Sequence, residues 1–191
     1  IDSSNQKISS AIFELFKYKD LFSTLAWRDF RVRYAQTNIG FLWALVQPLV
    51  TLIILSLVFG RFIGVETEVP HILFTVAGTS IWSYFSYVMT NSGSSIIGSQ
   101  NMVKKIYFPR LIIPLSKAVV GFIDFGISLL IMVCLMVYFR ILPSANFWMA
   151  PLFILFGITA ALAVGIWLSA LSVRFRDFQY IVPFMVQIGV Y

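Results

Sequence analysis

The chain has 191 residues, 59% of them hydrophobic and only 12% charged, with a formal net charge of +6. A water-soluble domain carries about twice that charged fraction, so a soluble globular fold is excluded. One Cys and one His exclude a disulfide framework and a metal cluster, and Cys134 reads as a small packing residue inside an apolar run. No Asp, Glu, Lys or Arg occurs at 34–60, 71–103 or 141–173. As a helix, about 20 apolar residues cross a hydrocarbon core of about 30 Å. The predicted fold is an all-α membrane protein, one transmembrane domain over 1–191.

Residues 1–40 form the predicted cytoplasmic lead and interface helix. Ile8, Ile12 and Leu15 recur at helical spacing, and 1–33 show no apolar core and small-residue site of a cleavable signal peptide. Over 21–40, aromatic residues mix with Arg, and Leu21, Leu25 and Val32 share one face that Asp29 interrupts. This predicts an amphipathic helix lying in the headgroup plane, and Gly40 permits the turn into the membrane. The transmembrane bundle follows over 41–191.

The first span is predicted at 41–60 with a kink at Pro48, followed by an outer loop at 61–71 carrying Arg61, Glu66, Glu68 and His71. The second span, 72–90, precedes a Ser/Gly/Asn-rich stretch at 91–101. That stretch marks either a helix end or a helix of small, closely packing residues. Residues 102–110 (MVKKIYFPR) form a short basic-aromatic segment broken by Pro109. The third span, 111–139, contains Pro114, Lys117 and Asp124, and the fourth is 148–172. A fifth apolar run starts at Phe178 and covers the last 14 residues, about 21 Å of helix. That is too short for a crossing, so one or two further spans are expected in a longer natural chain, about six in all.

With the N-terminus in the cytoplasm and each run crossing once, Lys7, Lys17, Lys19, Arg28, Arg31, Arg33, Lys104, Lys105, Arg110, Lys117, Arg174 and Arg176 lie inside. Only Arg61 and Arg140 lie outside. This bias fixes the expected orientation and argues against a nucleic-acid partner.

No phosphate-binding loop, HExxH or Gly-x-Ser-x-Gly elbow occurs, and Glu66 and Glu68 read as solvated loop residues. Asp124 is the acid inside a span, where carboxylates are costly. It either lines an aqueous path or proton relay, or bonds a Ser, Tyr or backbone group of a neighbouring helix. Lys117, seven residues earlier, is about 10 Å away along the axis, too far to pair with Asp124, and is expected to snorkel to the cytoplasmic surface. Trp43 and Trp148 stand near span ends, as headgroup-level aromatics do. Trp82, Tyr84, Phe85 and Tyr87 either stack on sugar faces or pack against lipid and helices. Ile106, Tyr107 and Phe108 expose apolar groups that mark a contact site or a helix resting on the membrane.

Three stretches, WRDFRVRYAQTNIGFLWALVQPL (27–49), NMVKKIYFPRLIIPLS (101–116) and SVRFRDFQYIVPF (172–184), resemble in order and spacing the permease subunit of type-2 ABC exporters. The resemblance is to the polysaccharide branch that moves O-antigen, capsule or teichoic acid. It implies a homodimer of six-span subunits in the bacterial inner membrane, with two copies of an ATPase subunit that holds ATP and Mg. No cofactor is implied for this subunit itself. Its cargo would be a polyprenyl-diphosphate-linked glycan moving among membrane lipids. Residues 102–110 would dock on the ATPase through Lys104, Lys105, Ile106, Tyr107, Phe108 and Arg110, with Arg174 and Arg176 as a second contact. Arg28, Arg31 and Arg33 would guide the diphosphate or anchor the interface helix, and the aromatics of the second span would line the pore. Rival expectations are a permease for a drug, lipid or haem, a proton-coupled transporter using Asp124, and an assembly factor that moves nothing.

Overall fold

The computed structural model describes residues 17–34, 42–58, 70–143 and 145–189. Ile8, Ile12, Leu15, Gly40, the loop residues Arg61, Glu66 and Glu68, and the side chain of Trp43 lie outside the described residues. The elements are α1 (Lys19–Tyr34), α2 (Leu42–Leu57), α3 (His71–Gly93), α4 (Ser95–Gly98), α5 (Gln100–Lys105), α6 (Ile112–Phe139), a 3-10 turn (Ala145–Met149), α7 (Ala150–Arg174) and α8 (Phe178–Ile188). No strand occurs among the described residues. Three helical stretches, His71–Gly93, Ile112–Phe139 and Asn146–Arg174, are long and apolar enough to cross a membrane; the helices at the first and fifth runs are shorter.

Helix α3 is the centre of the bundle and packs along both α6 and α7. Tyr84, Val88, Ala118, Phe125 and Ala161 form the core there. Small residues set the approach of α3 to α7: a methyl on Gly165 would fall 2.8 Å from Val88 Cγ1 and 3.2 Å from Ser92 Cβ. The small-residue stretch at 91–101 is therefore a packing surface. It continues as helix through α4 and α5, and the Ser92 hydroxyl donates 2.8 Å to the Pro114 carbonyl at the start of α6.

Two of the breaks among the described residues flank α6. Helix α5 ends where Ile106 turns extended, φ −129° and ψ 135°, three residues before Pro109. Helix α6 ends at Arg140, which takes the left-handed conformation, φ 55° and ψ 35°, the geometry that closes a helix by turning the chain aside. By its residue count α6 is about 42 Å long, some 12 Å more than a hydrocarbon core.

Helix α1 packs along the first half of α6. Its Leu25, with Leu21 and Phe22, meets Phe108, Ile112 and Ile113, and its Tyr34 and Phe30 meet Val120. The contact stripe runs obliquely round α1, so Val32, which shares the amphipathic face with Leu21 and Leu25, is 56% exposed, whereas Asp29, which interrupts that face, is buried. Cys134, expected as a packing residue, is exposed: it lies on the face of α6 that other helices leave uncovered. Trp148, just before α7, is also exposed, as a headgroup-level ring would be.

Candidate functional site

Charge complementarity joins α1 to α6. Arg33 donates to Asp124 Oδ2, and the Tyr34 hydroxyl donates to Asp124 Oδ1. One turn earlier on α1, Asp29 Oδ2 stands 3.1 Å from Lys117 Nζ, and Asp29 Oδ1 accepts from Arg28 Nη2 at 2.9 Å. Lys117 and Asp124 do not pair with each other; each takes a partner of opposite sign on α1. The Arg33 guanidinium also lies 4.4 Å from the centroid of the Tyr87 ring, a cation–π contact that helps hold a partly desolvated cation.

These partners fit the reading of Asp124 as a residue that holds the bundle together. Lys117 is not a free snorkelling cation but the counter-ion of a buried aspartate. Burial, then the hydrogen bond to Asp124, push the Tyr34 phenol upward, so it stays a donor throughout the physiological range. Burial alone would lower the pKa of Arg33; the Asp124 carboxylate, with Tyr87 and Tyr34, outweighs that effect and the net shift is upward.

The three arginines of α1 do not converge. Arg28 is bound to its neighbour Asp29 with half of its side chain exposed, and Arg31 is exposed beside Trp27, 5.5 Å from the ring centroid. Arg33 turns inward, so the structure does not form a three-arginine cradle.

Arg33 and Asp124 stand at one wall of a half-open cavity of about 400 Å³ lined by α2, α3, α6 and α8. Gln47 and Thr51 on α2, Thr79, Ser83, Thr90 and Asn91 on α3, and Gln187 on α8 place hydroxyl and amide groups in a lining that is otherwise largely apolar. Polar side chains in spanning helices face cavities or partners because lipid solvates neither. Trp82, Tyr84 and Tyr87 line it too, whereas Phe85 packs against the core and stacks on Trp82 at 5.9 Å. Tyr84 is itself buried, with its ring 4.8 Å from Phe122 and 5.7 Å from Phe125. Trp82 Nε1, the Tyr84 hydroxyl and Ser86 Oγ are buried without a hydrogen-bond partner among the described residues. Buried donors of this kind are seldom left unmatched, and these three belong to cavity-lining residues.

The segment between α5 and α6 divides its side chains by direction. Tyr107 is 91% exposed and Ile106 57%, with Lys104, Lys105 and Arg110 also exposed. Phe108 is 7% exposed and packs with Leu25, Ile112 and Ile113. It is an anchor for the segment, not a surface contact. Because α6 and α7 form a hairpin, the exposed Arg174 and Arg176 lie at the same end of the bundle as this segment.

The Asp29–Lys117 tie and the amide side of the cavity (Gln47, Gln187) were not foreseen as site residues. The signal for the tie is present in the sequence: a minus–plus pair four apart on one helix and a plus–minus pair seven apart on another.

Known proteins match this sequence over nearly the whole chain. The family described as ABC-2 type transporter matches residues 20–191. An O-antigen export system permease protein RfbA of Myxococcus xanthus is 29% identical over 170 residues, covering 88% of this chain and 65% of that protein. A protein of the same name from Klebsiella pneumoniae is 28% identical over 173 residues, covering 90% and 66%. The chain thus spans slightly less than two thirds of the length of these relatives. A cavity that sets hydroxyl and amide groups into a largely apolar wall, a basic segment at one end and a family match that begins in α1 lead to one placement: the chain belongs to the ABC-2 type transporter family.

Proposed function

We propose that the chain is the permease subunit of an ATP-driven exporter that moves a lipid-linked polysaccharide, O-antigen in the first instance, across the bacterial inner membrane. Two copies form the conduit, the N-terminus is cytoplasmic, and two ATPase subunits carry ATP and Mg. The observation that carries this reading is the cavity, in which hydroxyl and amide groups share the wall with Trp82, Tyr84 and Tyr87. A polysaccharide presents hydroxyls to the former and C–H faces to the latter. The relatives' names point to the same cargo.

In this mechanism the ATPase grips the exposed Ile106 and Tyr107. Phe108, wedged between Leu25 of α1 and Ile112 of α6, carries the displacement into both helices. The ion pairs at Asp29 and Asp124 make α1 follow α6, and the cavity walls on α3 and α6 shift with them.

The test is co-purification with the ATPase and ATP-dependent glycan export in wild type and Tyr107→Ala. Export that persists without any ATPase would refute the reading. Loss of complex or of coupled ATP hydrolysis in the variant, with the melting temperature unchanged, supports it.

A further inference from the structure

At the end of the bundle away from the basic segment, α6 and α7 diverge and leave a groove of about 790 Å³. One wall is Leu129, Met132, Val133, Met136 and Val137 of α6, a stripe at the i, i+3, i+4, i+7, i+8 spacing of one helical face. The opposite wall is Phe147, Ala150, Pro151 and Ile154. At the mouth stands Arg140, the one ionisable residue among those lining the groove. It is exposed, and its left-handed backbone ends α6 there.

We propose that this groove holds one acyl chain of an anionic phospholipid from the leaflet opposite the basic loops, with the lipid phosphate paired to Arg140. Two features select this occupant. From Leu129 to Arg140 the groove is about 16 Å deep, close to the half-thickness of about 15 Å of one leaflet's hydrocarbon. The single charge is a guanidinium at the headgroup end, complementary to a phosphate and able to bind it through two N–H groups. A neutral apolar partner would leave that cation without a counter-charge among the groove's lining residues. The inference rests on the helix hairpin and its embedding in a membrane, and stands independently of the cargo proposed above.

The experiment is native mass spectrometry of the full chain, purified in mild detergent and exposed to phosphatidylglycerol or to phosphatidylcholine of the same acyl composition. Wild type should retain phosphatidylglycerol about five-fold better, the factor expected from one basic residue near an anionic headgroup. Arg140→Asn keeps a residue that accepts the left-handed conformation and should erase the preference; Arg140→Lys should keep most of it. Ala150→Phe, which fills the groove, should lower retention of both lipids, and Met136→Phe repeats the test at the opposite wall. Unchanged preference in Arg140→Asn, or unchanged retention in both groove-filling variants, overturns the proposal. So does selective retention of a polyprenyl phosphate, or a disulfide formed in native membranes between Val133→Cys and a cysteine placed in another span or a second copy, since either gives the groove to a different occupant.

Discussion

Arg33 and Asp124 lie 91 positions apart in sequence and form an ion pair between α1 and α6, with Tyr34 hydrogen-bonded to the second carboxylate oxygen. The side chains are 29% and 24% exposed, so water weakens the attraction without removing it. Deleting one partner leaves the other partly buried and unmatched. Asp124→Asn should therefore lower stability by about 2 kcal/mol, under the value for a fully buried pair, or about 4–8 °C in melting temperature for a chain of this size. Replacing both residues, as Arg33→Met with Asp124→Leu, should cost less than either single change. Thermal unfolding of the detergent-solubilised variants decides this, and a double variant less stable than either single would contradict the account.

Tyr107 and Phe108 are adjacent but should fail differently. Phe108→Ala removes a buried ring and should destabilise by about 3 kcal/mol. Tyr107→Ala removes an exposed ring and should leave the melting temperature within about 2 °C of wild type while weakening ATPase coupling. Melting curves and ATPase assays on the same preparations separate the two. If Tyr107→Ala melts as low as Phe108→Ala, the division of labour proposed for the segment is wrong.

The close approach of α3 to α7 at Gly165 can be probed with one methyl. Val88 is fully buried and its Cγ1 would lie 2.8 Å from the new carbon, so a helix must move or a rotamer must change. Gly165→Ala should cost about 1–3 kcal/mol despite Ala's better helix propensity. An increase in melting temperature would show that propensity outweighs packing at this position.

The cavity can be blocked without touching the fold. Ser83 is exposed to it from α3 and Thr51 from α2. Ser83→Trp and Thr51→Trp should abolish glycan export while leaving the melting temperature and ATPase complex unchanged. Undiminished export in both would remove the cavity from the transport path.

Much of this architecture is legible in the sequence because lipid enforces it. Charge-free runs become helices over most of their described length, and Pro109 stands where the chain leaves helical geometry. Direction within an element is less legible. Val32 shares a helical face with Leu25 yet is exposed, because the contact stripe winds round α1. Phe108 cannot be told from Tyr107 by composition, since only Leu25 and Ile113, distant in sequence or across a break, decide which ring turns inward. The Asp29–Lys117 tie escapes a reading that searches each helix alone, because Lys117 has its counter-ion on another helix and Asp29 already has a partner, Arg28, on its own.

The two ion pairs between α1 and α6 have unequal pitch. Asp29 and Arg33 are separated by about 6 Å of helical rise, whereas Lys117 and Asp124 are separated by about 10.5 Å. Like the two scales of a vernier, they coincide at both marks for only one offset and inclination, with the long Lys and Arg stems absorbing the difference. Sliding α1 by one residue turns its charges about 100° away and breaks both marks together. Helix α1 therefore has a single seat on α6, and a swap of Asp29 with Arg33 would bring like charges together at both contacts.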